Sequence, residues 1–94
     1  MQNFEWDETK NLANQRKHGI SFEEASTIFD RPVLSIEDEH DGEVRERSYG
    51  LIGGLVVACV IHTERRGSTR IISARKATKN EQKLFNSYLK RALG

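Results

Sequence analysis

The feature that most constrains the fold of this chain is an apolar run over residues 55–61, with the sequence LVVACVI. The run is far shorter than the roughly 20 apolar residues that a membrane-spanning helix needs. Apolar residues at consecutive positions predict a strand that is covered on both of its faces. We therefore expect residues 55–63 to form the central strand of a sheet.

Turn-forming residues on either side of this run predict further strands. Gly53-Gly54 accepts the positive φ angles of a two-residue hairpin, and so predicts an antiparallel neighbour over residues 47–52. Two more strands are predicted over residues 33–36 and 70–76. The sheet is therefore expected to be mainly antiparallel.

An acidic segment separates the first two of these strands. Residues 37–43 have the sequence EDEHDGE and hold five acids. Acids at this density repel one another and bury no apolar surface, so we expect a polar loop. The loop should point away from any polyanion that the chain binds, or toward a basic partner.

Capping signals predict two consecutive helices in the N-terminal part. Asp7 can cap the amides of a helix over residues 8–18, and Gly19 supplies its left-handed end. The sequence SFEE at residues 21–24 is a capping box that opens a second helix, which ends before Pro32. The two helices should meet in a tight corner.

A third helix closes the chain. The sequence TKNE at residues 78–81 is a second capping box, and the apolar residues after it recur at helical spacing. With a short strand at residues 4–6, the order is strand, helix, helix, three or four antiparallel strands and helix. This order predicts an α+β fold in one small domain over residues 1–94.

Charge is divided unevenly along the chain. Residues 65–94 hold nine Lys and Arg against one acid, a net charge of +8, whereas residues 1–64 hold six against thirteen, a net charge of −7. A basic surface of this kind attracts a polyanion and orients it. We expect a phosphate backbone to be that polyanion.

Several classes of function lack support in the sequence. The chain has no glycine-rich phosphate loop, no HExxH and no GxSxG, and its histidines and single cysteine do not have zinc-site spacing. Cys59 lies inside the apolar run and should be a buried residue. The N-terminus lacks the character of a signal peptide. We therefore expect a cytoplasmic protein with no metal, cofactor or membrane contact.

The predicted strand over residues 70–76 (RIISARK) places cations beside apolar residues. Strict alternation puts Arg70, Ile72, Ala74 and Lys76 on one side and Ile71, Ser73 and Arg75 on the other. Arg75 is then suited to bidentate contact with a phosphate. The alternative is that Arg75 pairs with an acid of the same domain, such as Glu64. Arg70 and Lys76 near the strand ends either are solvated or contact RNA.

Two pairs of residues carry titratable groups. Lys17 and His18 fall in the last turn of the first helix, where the helix dipole favours cations. Alternatively, Lys17 neutralises a phosphate and His18 exchanges protons near neutral pH. His62 and Glu64 share a face at the end of the central strand and could act as a base and its orienting carboxylate. A histidine at a sheet rim is otherwise merely exposed.

Acids, bases and arginines without a metal suit the cleavage of RNA. The neighbouring 2′-hydroxyl is the nucleophile, so the protein must remove its proton, stabilise the charged phosphorane and protonate the leaving oxygen. Two other classes of function compete with this one. The chain could be a nucleic-acid-binding module without catalysis, or an interaction domain whose basic surface binds an acidic protein.

Four segments resemble a known family: FEWD at residues 4–7, NQRKHGISFEEA at 14–25, VIHTE at 60–64 and RIISARKAT at 70–78. Their order and spacing resemble the BrnT toxins of bacterial type II toxin–antitoxin pairs. The resemblance implies a compact RelE-like ribonuclease fold and arrest of translation through RNA cleavage. It also implies neutralisation by a BrnA antitoxin, whose dimeric DNA-binding domain represses the operon.

The resemblance also assigns functional positions in this sequence. It carries a catalytic role to Lys17 and His18 in the segment KHG, to Arg75 in RIISARK and to His62 in VIHTE. The expected RNA contacts are Arg70, Lys76 and Lys79. Operator DNA would be contacted mainly by the antitoxin within the complex.

Overall fold

The structure is a computed structural model that describes residues 2–94. Its elements are, in order, β1 (Asn3–Glu5), α1 (Glu8–His18), α2 (Phe22–Ser26), a 3₁₀ turn (Thr27–Asp30), β2 (Leu34–His40), β3 (Glu43–Ile52), β4 (Val56–Arg65), β5 (Ser68–Lys76) and α3 (Lys79–Leu93). The α+β order is the one that the sequence predicts.

The strands form one sheet in the order β1-β5-β4-β3-β2. β2, β3, β4 and β5 are joined by antiparallel ladders, and β1 adds to β5 in parallel. The predicted apolar strand, β4, lies at the centre. A parallel first strand follows from the topology, because α1, α2 and three strands separate β1 from β5.

Local capping explains where each helix begins. Asp7 accepts a hydrogen bond from the Lys10 amide at 3.2 Å, and Gly19 ends α1 with a φ of 73°. Both predicted capping boxes are formed, at the start of α2 and at the start of α3. The three helix starts are therefore confirmed.

The prediction of a polar loop over residues 37–43 is wrong. β2 runs to His40 and β3 begins at Glu43, so only Asp41 and Gly42 form the turn, with φ angles of 51° and 77°. Two positive φ angles suit a two-residue hairpin. The acids are tolerated because the hairpin is exposed and Asp38 lies opposite Arg45 in β3.

The hairpin at Gly53-Gly54 is confirmed in outline, with one correction. Both glycines have positive φ angles, 61° and 74°. Ile52 pairs with Val56, however, so the loop has three residues and includes Leu55, whose side chain is 87% exposed. The apolar run therefore enters β4 one residue later than predicted.

The sheet buries a different set of side chains on each face. The α1–α2 face is the one that carries Ala58, Val60, Ile71 and Ala74. These residues pack against Ile20, Phe22, Ala25 and Ile28. Trp6, the only tryptophan, also packs here, with its ring edge to face on Phe22 at 6.2 Å.

The opposite face, called the α3 face, carries Tyr49, Cys59 and Ile61. α3 lies on it through Phe85, which is 1% exposed, and through half-buried side chains further along the helix. The sheet is therefore covered on both sides near the middle of β4. Within residues 2–94, no helix is long and apolar enough to span a membrane.

A β-bulge interrupts the ladder between β4 and β5. Ile61 pairs with Ser73, but the next residue, His62, pairs with Ile71. Ile72 is thus an extra residue in β5. Such a bulge changes the face on which the following side chains lie.

The bulge overturns part of the predicted alternation. The sequence places Ile71 on the same side as Ser73 and Arg75, but Ile71 packs with Ala74 on the α1–α2 face. Arg70 moves to the other side for the same reason and shares a face with Arg75. The two arginines of β5 therefore lie on the same face of the sheet because of the bulge.

Candidate functional site

α1 lies along the free edge of β5 and is held there by one side chain. Asn14 Nδ2 donates to the carbonyl oxygen of Ala74 at 2.8 Å, and Asn14 Oδ1 accepts from the Ala74 amide at 3.2 Å. These bonds satisfy backbone groups that an edge strand would leave open. They also bring the end of α1, with Lys17 and His18, beside Ser73 of β5.

A shallow cavity of about 280 Å³ lies between α1 and β5. Its lining residues include Lys10, Lys17, His18, Ile72 and Ser73. Lys10 and Lys17 are exposed, and His18 is half-buried. Two cations and a histidine therefore meet at one edge of the sheet, which is an arrangement suited to a phosphate.

A second cavity, of about 240 Å³, continues this surface along the α3 face. It shares Lys10 and Ile72 with the first cavity, and its other lining residues are Glu43, Arg45, Thr63, Arg65 and Arg70. Arg70 pairs with Thr63, which follows Ile61 by two residues in β4 and so lies on the α3 face. The two cavities form a basic groove from α1 to β3.

Arg75 lies on the α3 face opposite Cys59 and is held by an acid. Its Nη1 donates to Glu81 Oε1 at 2.7 Å and its Nη2 donates to Glu81 Oε2 at 3.1 Å. The sequence leaves open that Arg75 pairs with an acid of the same domain. The acid is Glu81 of α3, and not the suggested Glu64.

Glu81 is the centre of a polar cluster on this face. Tyr49 Oη donates to Glu81 Oε2 at 2.6 Å, and the Thr78 amide donates to Glu81 Oε1 at 2.9 Å. The hydrogen bonds from Arg75, with those from Thr78 and Tyr49, lower the pKa of Glu81 from 4.5 to about 2. Burial and the bond to Glu81 raise the pKa of Tyr49. The cluster is therefore an ionised Glu81 carboxylate that accepts hydrogen bonds from Arg75, Thr78 and a protonated Tyr49.

Arg47 extends the cluster toward β2. Its Nη1 lies 4.0 Å from Glu81 Oε2 and 3.3 Å from Tyr49 Oη, and its Nε lies 3.7 Å from Asp38 Oδ2. In the part of the chain that the structure describes, the buried Nε groups of Arg45 and Arg47 have no hydrogen-bond acceptor. Arg45 Nε lies 3.8 Å from Glu43 Oε1, so each of the two arginines lies near an acid of the β2–β3 hairpin.

His62 lies elsewhere, and the structure does not bring it together with Arg75. It is 3% exposed on the α1–α2 face, where Phe29 meets its ring edge to face at 5.1 Å. Ser48 Oγ is 2.7 Å from its Nε2, and Glu64 Oε2 is 3.3 Å from its Nδ1. The expected pairing of His62 with Glu64 is formed, and it joins a buried ring to an exposed carboxylate.

These contacts of His62 are part of a polar row that crosses the sheet. Ser35 contacts Ser48 at 2.7 Å, and Thr69 donates to Glu64 at 3.0 Å. The row thus links β2, β3, β4 and β5 through side chains. A role in this row of hydrogen bonds is a structural explanation for His62.

The remaining predicted residues lie at the end of β5 and in the first turn of α3. Lys76 is exposed and lines a separate cavity of about 280 Å³ with Leu55 and Gln82. Lys79 is exposed. Cys59 is fully buried, which raises the pKa of its thiol and matches its expected role in the core.

Sequence reasoning missed five residues of this surface: Lys10, Arg45, Arg47, Tyr49 and Glu81. A signal existed for three of them, because Arg45, Arg47 and Tyr49 alternate at the two-residue period of a strand. The prediction of a loop over residues 37–43 placed the start of β3 too late in the sequence. Among residues 2–94, no three His, Cys, Asp or Glu side chains are grouped as a metal site requires.

A family model and a solved structure match this chain. A family model described as the ribonuclease toxin BrnT of type II toxin–antitoxin systems matches residues 6–81. A 1.1 Å crystal structure of the Brucella abortus ribonuclease toxin BrnT is similar, with a TM-score of 0.68 and 24% identity. That match covers 84% of this chain and all of the Brucella chain. No curated protein matches. The chain therefore belongs to the BrnT family of ribonuclease toxins of type II toxin–antitoxin systems.

Proposed function

We propose that this toxin is an endoribonuclease that arrests translation by cleaving RNA without a metal. A bond forms between the 2′-oxygen and phosphorus, and the bond from phosphorus to the 5′-oxygen breaks. The 2′-hydroxyl proton goes to a base, and the leaving oxygen takes up a proton. The products are a 2′,3′-cyclic phosphate and a 5′-hydroxyl.

The observation that supports the proposal is the groove between α1 and β5, where Lys17 and His18 meet Ser73. Ser73 lies two residues before Arg75 in β5 and on the same face of the sheet. Arg75 stabilises charge on the phosphorane, since a preorganised guanidinium binds two of its oxygens. Lys17 neutralises the phosphate, and His18 exchanges protons. RNA lies along the basic groove that contains Arg70 and Arg45.

Three other residues have secondary roles in this proposal. Lys76 and Lys79 are exposed at the end of the site and contact the RNA backbone as it leaves. His62, which the sequence predicts as a reacting group, is 3% exposed and lies on the face opposite Arg75, so the proposal gives it no proton transfer. Its proposed role is to hold the strands together through Ser48 and Glu64.

The proposed partner is an antitoxin of the BrnA type, which is consistent with a toxin of a type II pair. The antitoxin covers the basic C-terminal third of the chain. Operator DNA is contacted through the antitoxin, because residues 1–64 of the toxin carry a net charge of −7. The pair acts in the cytoplasm and represses its own operon.

The proposal is tested by incubating the purified chain with a defined RNA in EDTA and analysing the new ends. We expect 2′,3′-cyclic phosphate ends. An Arg75→Ala variant purified in the same way controls for contaminating nucleases. Intact RNA, or cleavage that requires an added divalent ion, would contradict the proposal. RNA that is bound but never cut would instead favour a nucleic-acid-binding module.

A further inference from the structure

The anion site at Arg75 is filled by the protein's own side chain. Glu81 presents two oxygens to two guanidinium nitrogens, at 2.7 and 3.1 Å. A phosphodiester presents two oxygens to an arginine in the same way. A phosphate and the Glu81 carboxylate therefore cannot both bind this side of Arg75.

The donors around Glu81 would serve any oxyanion in its place. Besides Arg75, they are the Tyr49 hydroxyl and the Thr78 amide, with Arg47 at 4.0 Å. The Glu81 side chain is only 15% exposed, so its negative charge is well placed to weaken the binding of another anion. It is also the only acid among residues 65–94.

α3, which carries Glu81, packs on the sheet through few buried apolar side chains. Of the fifteen residues of the helix, Phe85 is the one that is fully buried. Tyr88 and Leu89 are half-buried, whereas Leu84 and Leu93 are 44% and 71% exposed. Glu81 is fixed in the first turn by the capping box with Thr78. Movement of this turn away from the sheet would uncover Arg75.

We propose that Glu81 is a built-in competitor of the RNA phosphate, so that α3 closes the Arg75 site until RNA displaces the carboxylate. This inference rests on the proposed function of the site. It predicts that the resting toxin is restrained by its own C-terminal helix, in addition to any antitoxin. Removing the carboxylate should therefore strengthen RNA binding.

The test compares Glu81→Gln with Glu24→Gln. Both variants replace the carboxylate of a capping box by an amide, and both remove one negative charge. Only Glu81 contacts Arg75, because Glu24 belongs to α2, on the opposite face of the sheet. The matched pair therefore separates release of Arg75 from a general change in net charge.

The readout is the affinity for an RNA with 2′-O-methyl groups throughout, which cannot be cleaved because its 2′-oxygens are blocked. We expect Glu81→Gln to bind it about tenfold more tightly than the parent, the effect of one competing charged hydrogen bond. Glu24→Gln should bind like the parent. Equal tightening in both variants, or none in Glu81→Gln, overturns the inference.

A second variant keeps the charge and guards against misfolding. Glu81→Asp retains the carboxylate but is one methylene too short for the contact with Arg75. It should bind the blocked RNA more tightly than the parent, because Arg75 is released, but less tightly than Glu81→Gln, because the negative charge remains. It decides the matter alone if circular dichroism shows that Glu81→Gln is unfolded. Unchanged affinity in Glu81→Asp would then overturn the inference.

Failure of this inference and failure of the proposed function give different results. If the parent cuts unmodified RNA with the help of Arg75 but the affinities do not change, only the inference is wrong. If tightening occurs and is lost in the double variant Glu81→Gln/Arg75→Ala, while no variant cuts RNA, the inference stands and catalysis fails. If neither the parent nor any variant binds RNA, both the inference and the proposed function are wrong.

Discussion

The side-chain amide of Asn14, in α1, forms hydrogen bonds with the backbone of Ala74 in the way that the backbone of a neighbouring strand would. This amide pairs with both backbone groups of Ala74, and Nδ2 also donates to the Ile20 carbonyl at 2.9 Å. The pairing determines how far α1 lies from β5. The position of His18 relative to Arg75 therefore depends on a residue that need not touch RNA.

The first prediction concerns Asn14→Ala. The change leaves three buried backbone groups without partners, and should lower the free energy of unfolding by about 2 to 4 kcal/mol. Cleavage should also fall, because α1 is no longer fixed beside β5. Urea denaturation and RNA cleavage measure the two effects. Asn80→Ala, at an exposed position of α3, is the control and should change neither.

The second prediction is that Arg75→Ala reduces cleavage by roughly 100- to 1000-fold, the usual cost of losing one preorganised donor. Arg75→Lys should recover only part of this, since lysine cannot make the bidentate contact. Expression of each variant alone, with growth as the readout, tests the same point in cells. Arg16→Ala removes an exposed arginine of α1 as a control. A variant as toxic as the parent would exclude Arg75 from the mechanism.

The third prediction separates the two histidines. His18→Gln should slow cleavage at every pH and flatten one limb of the pH–rate profile, because the proposed proton exchange is lost. His62→Gln should instead lower the free energy of unfolding, by about 1 to 3 kcal/mol, because it disturbs the buried bonds to Ser48 and Glu64. A pH profile and a urea titration on both variants check this. A flattened profile in His62→Gln alone would exchange the two roles.

Lys17 gives a companion test within the same cavity. If Lys17 supplies only charge, Lys17→Arg should retain much of the activity, whereas Lys17→Ala should lose it. Equal losses in the two variants would indicate that the ammonium group has a more specific role.

The fourth prediction concerns pH. The pKa of Glu81 is about 2 in the folded chain, below the usual 4.5, chiefly because of Arg75. A lowered folded-state pKa stabilises the protein above the unfolded pKa, and this stability is lost as the pH falls from about 4.5 toward 2. Near neutral pH, the free energy of unfolding of the parent should be about 3 kcal/mol higher than that of Glu81→Gln. This difference should vanish in acid. Urea titrations of both proteins over a pH series measure it. A constant difference would contradict the assignment.

The fifth prediction concerns the antitoxin. Residues 65–94 carry a net charge of +8, so acidic residues of the antitoxin should dock there, including on the exposed side of α3. Association should slow as salt rises, because attraction is screened beyond about 8 Å at physiological ionic strength. Stopped-flow mixing across a salt series tests this. An on-rate unchanged by Lys83→Glu with Lys90→Glu would mean that the partner docks elsewhere.

Local signals in the sequence were sufficient for the helices. Asp7, Gly19 and the two capping boxes act within a few residues, so their effect does not depend on the rest of the fold. The charge of residues 37–43 predicts a loop, but Asp41-Gly42 is a strong hairpin signal and the flanking acids lie on exposed strands.

Part of the candidate site can be proposed from the sequence for a similar reason. Lys17, His18 and Arg75 belong to segments with recognisable motifs, and Lys17 and His18 line one groove with Ser73 of β5. The bulge at Ile72 and the contact with Glu81 could not be predicted, because each depends on how distant elements pack. The burial of His62 likewise depends on helices that cover the α1–α2 face.

The position of Trp6 has a practical consequence for measuring the motion of α3. Trp6 is the only tryptophan and packs on Phe22, on the side of the sheet away from α3. Its fluorescence therefore reports on melting of the α1–α2 core and is silent when α3 leaves the sheet. Far-ultraviolet circular dichroism registers the loss of helix in both events if α3 frays once free. A denaturation curve that begins earlier by dichroism than by fluorescence would give the free energy of detaching α3.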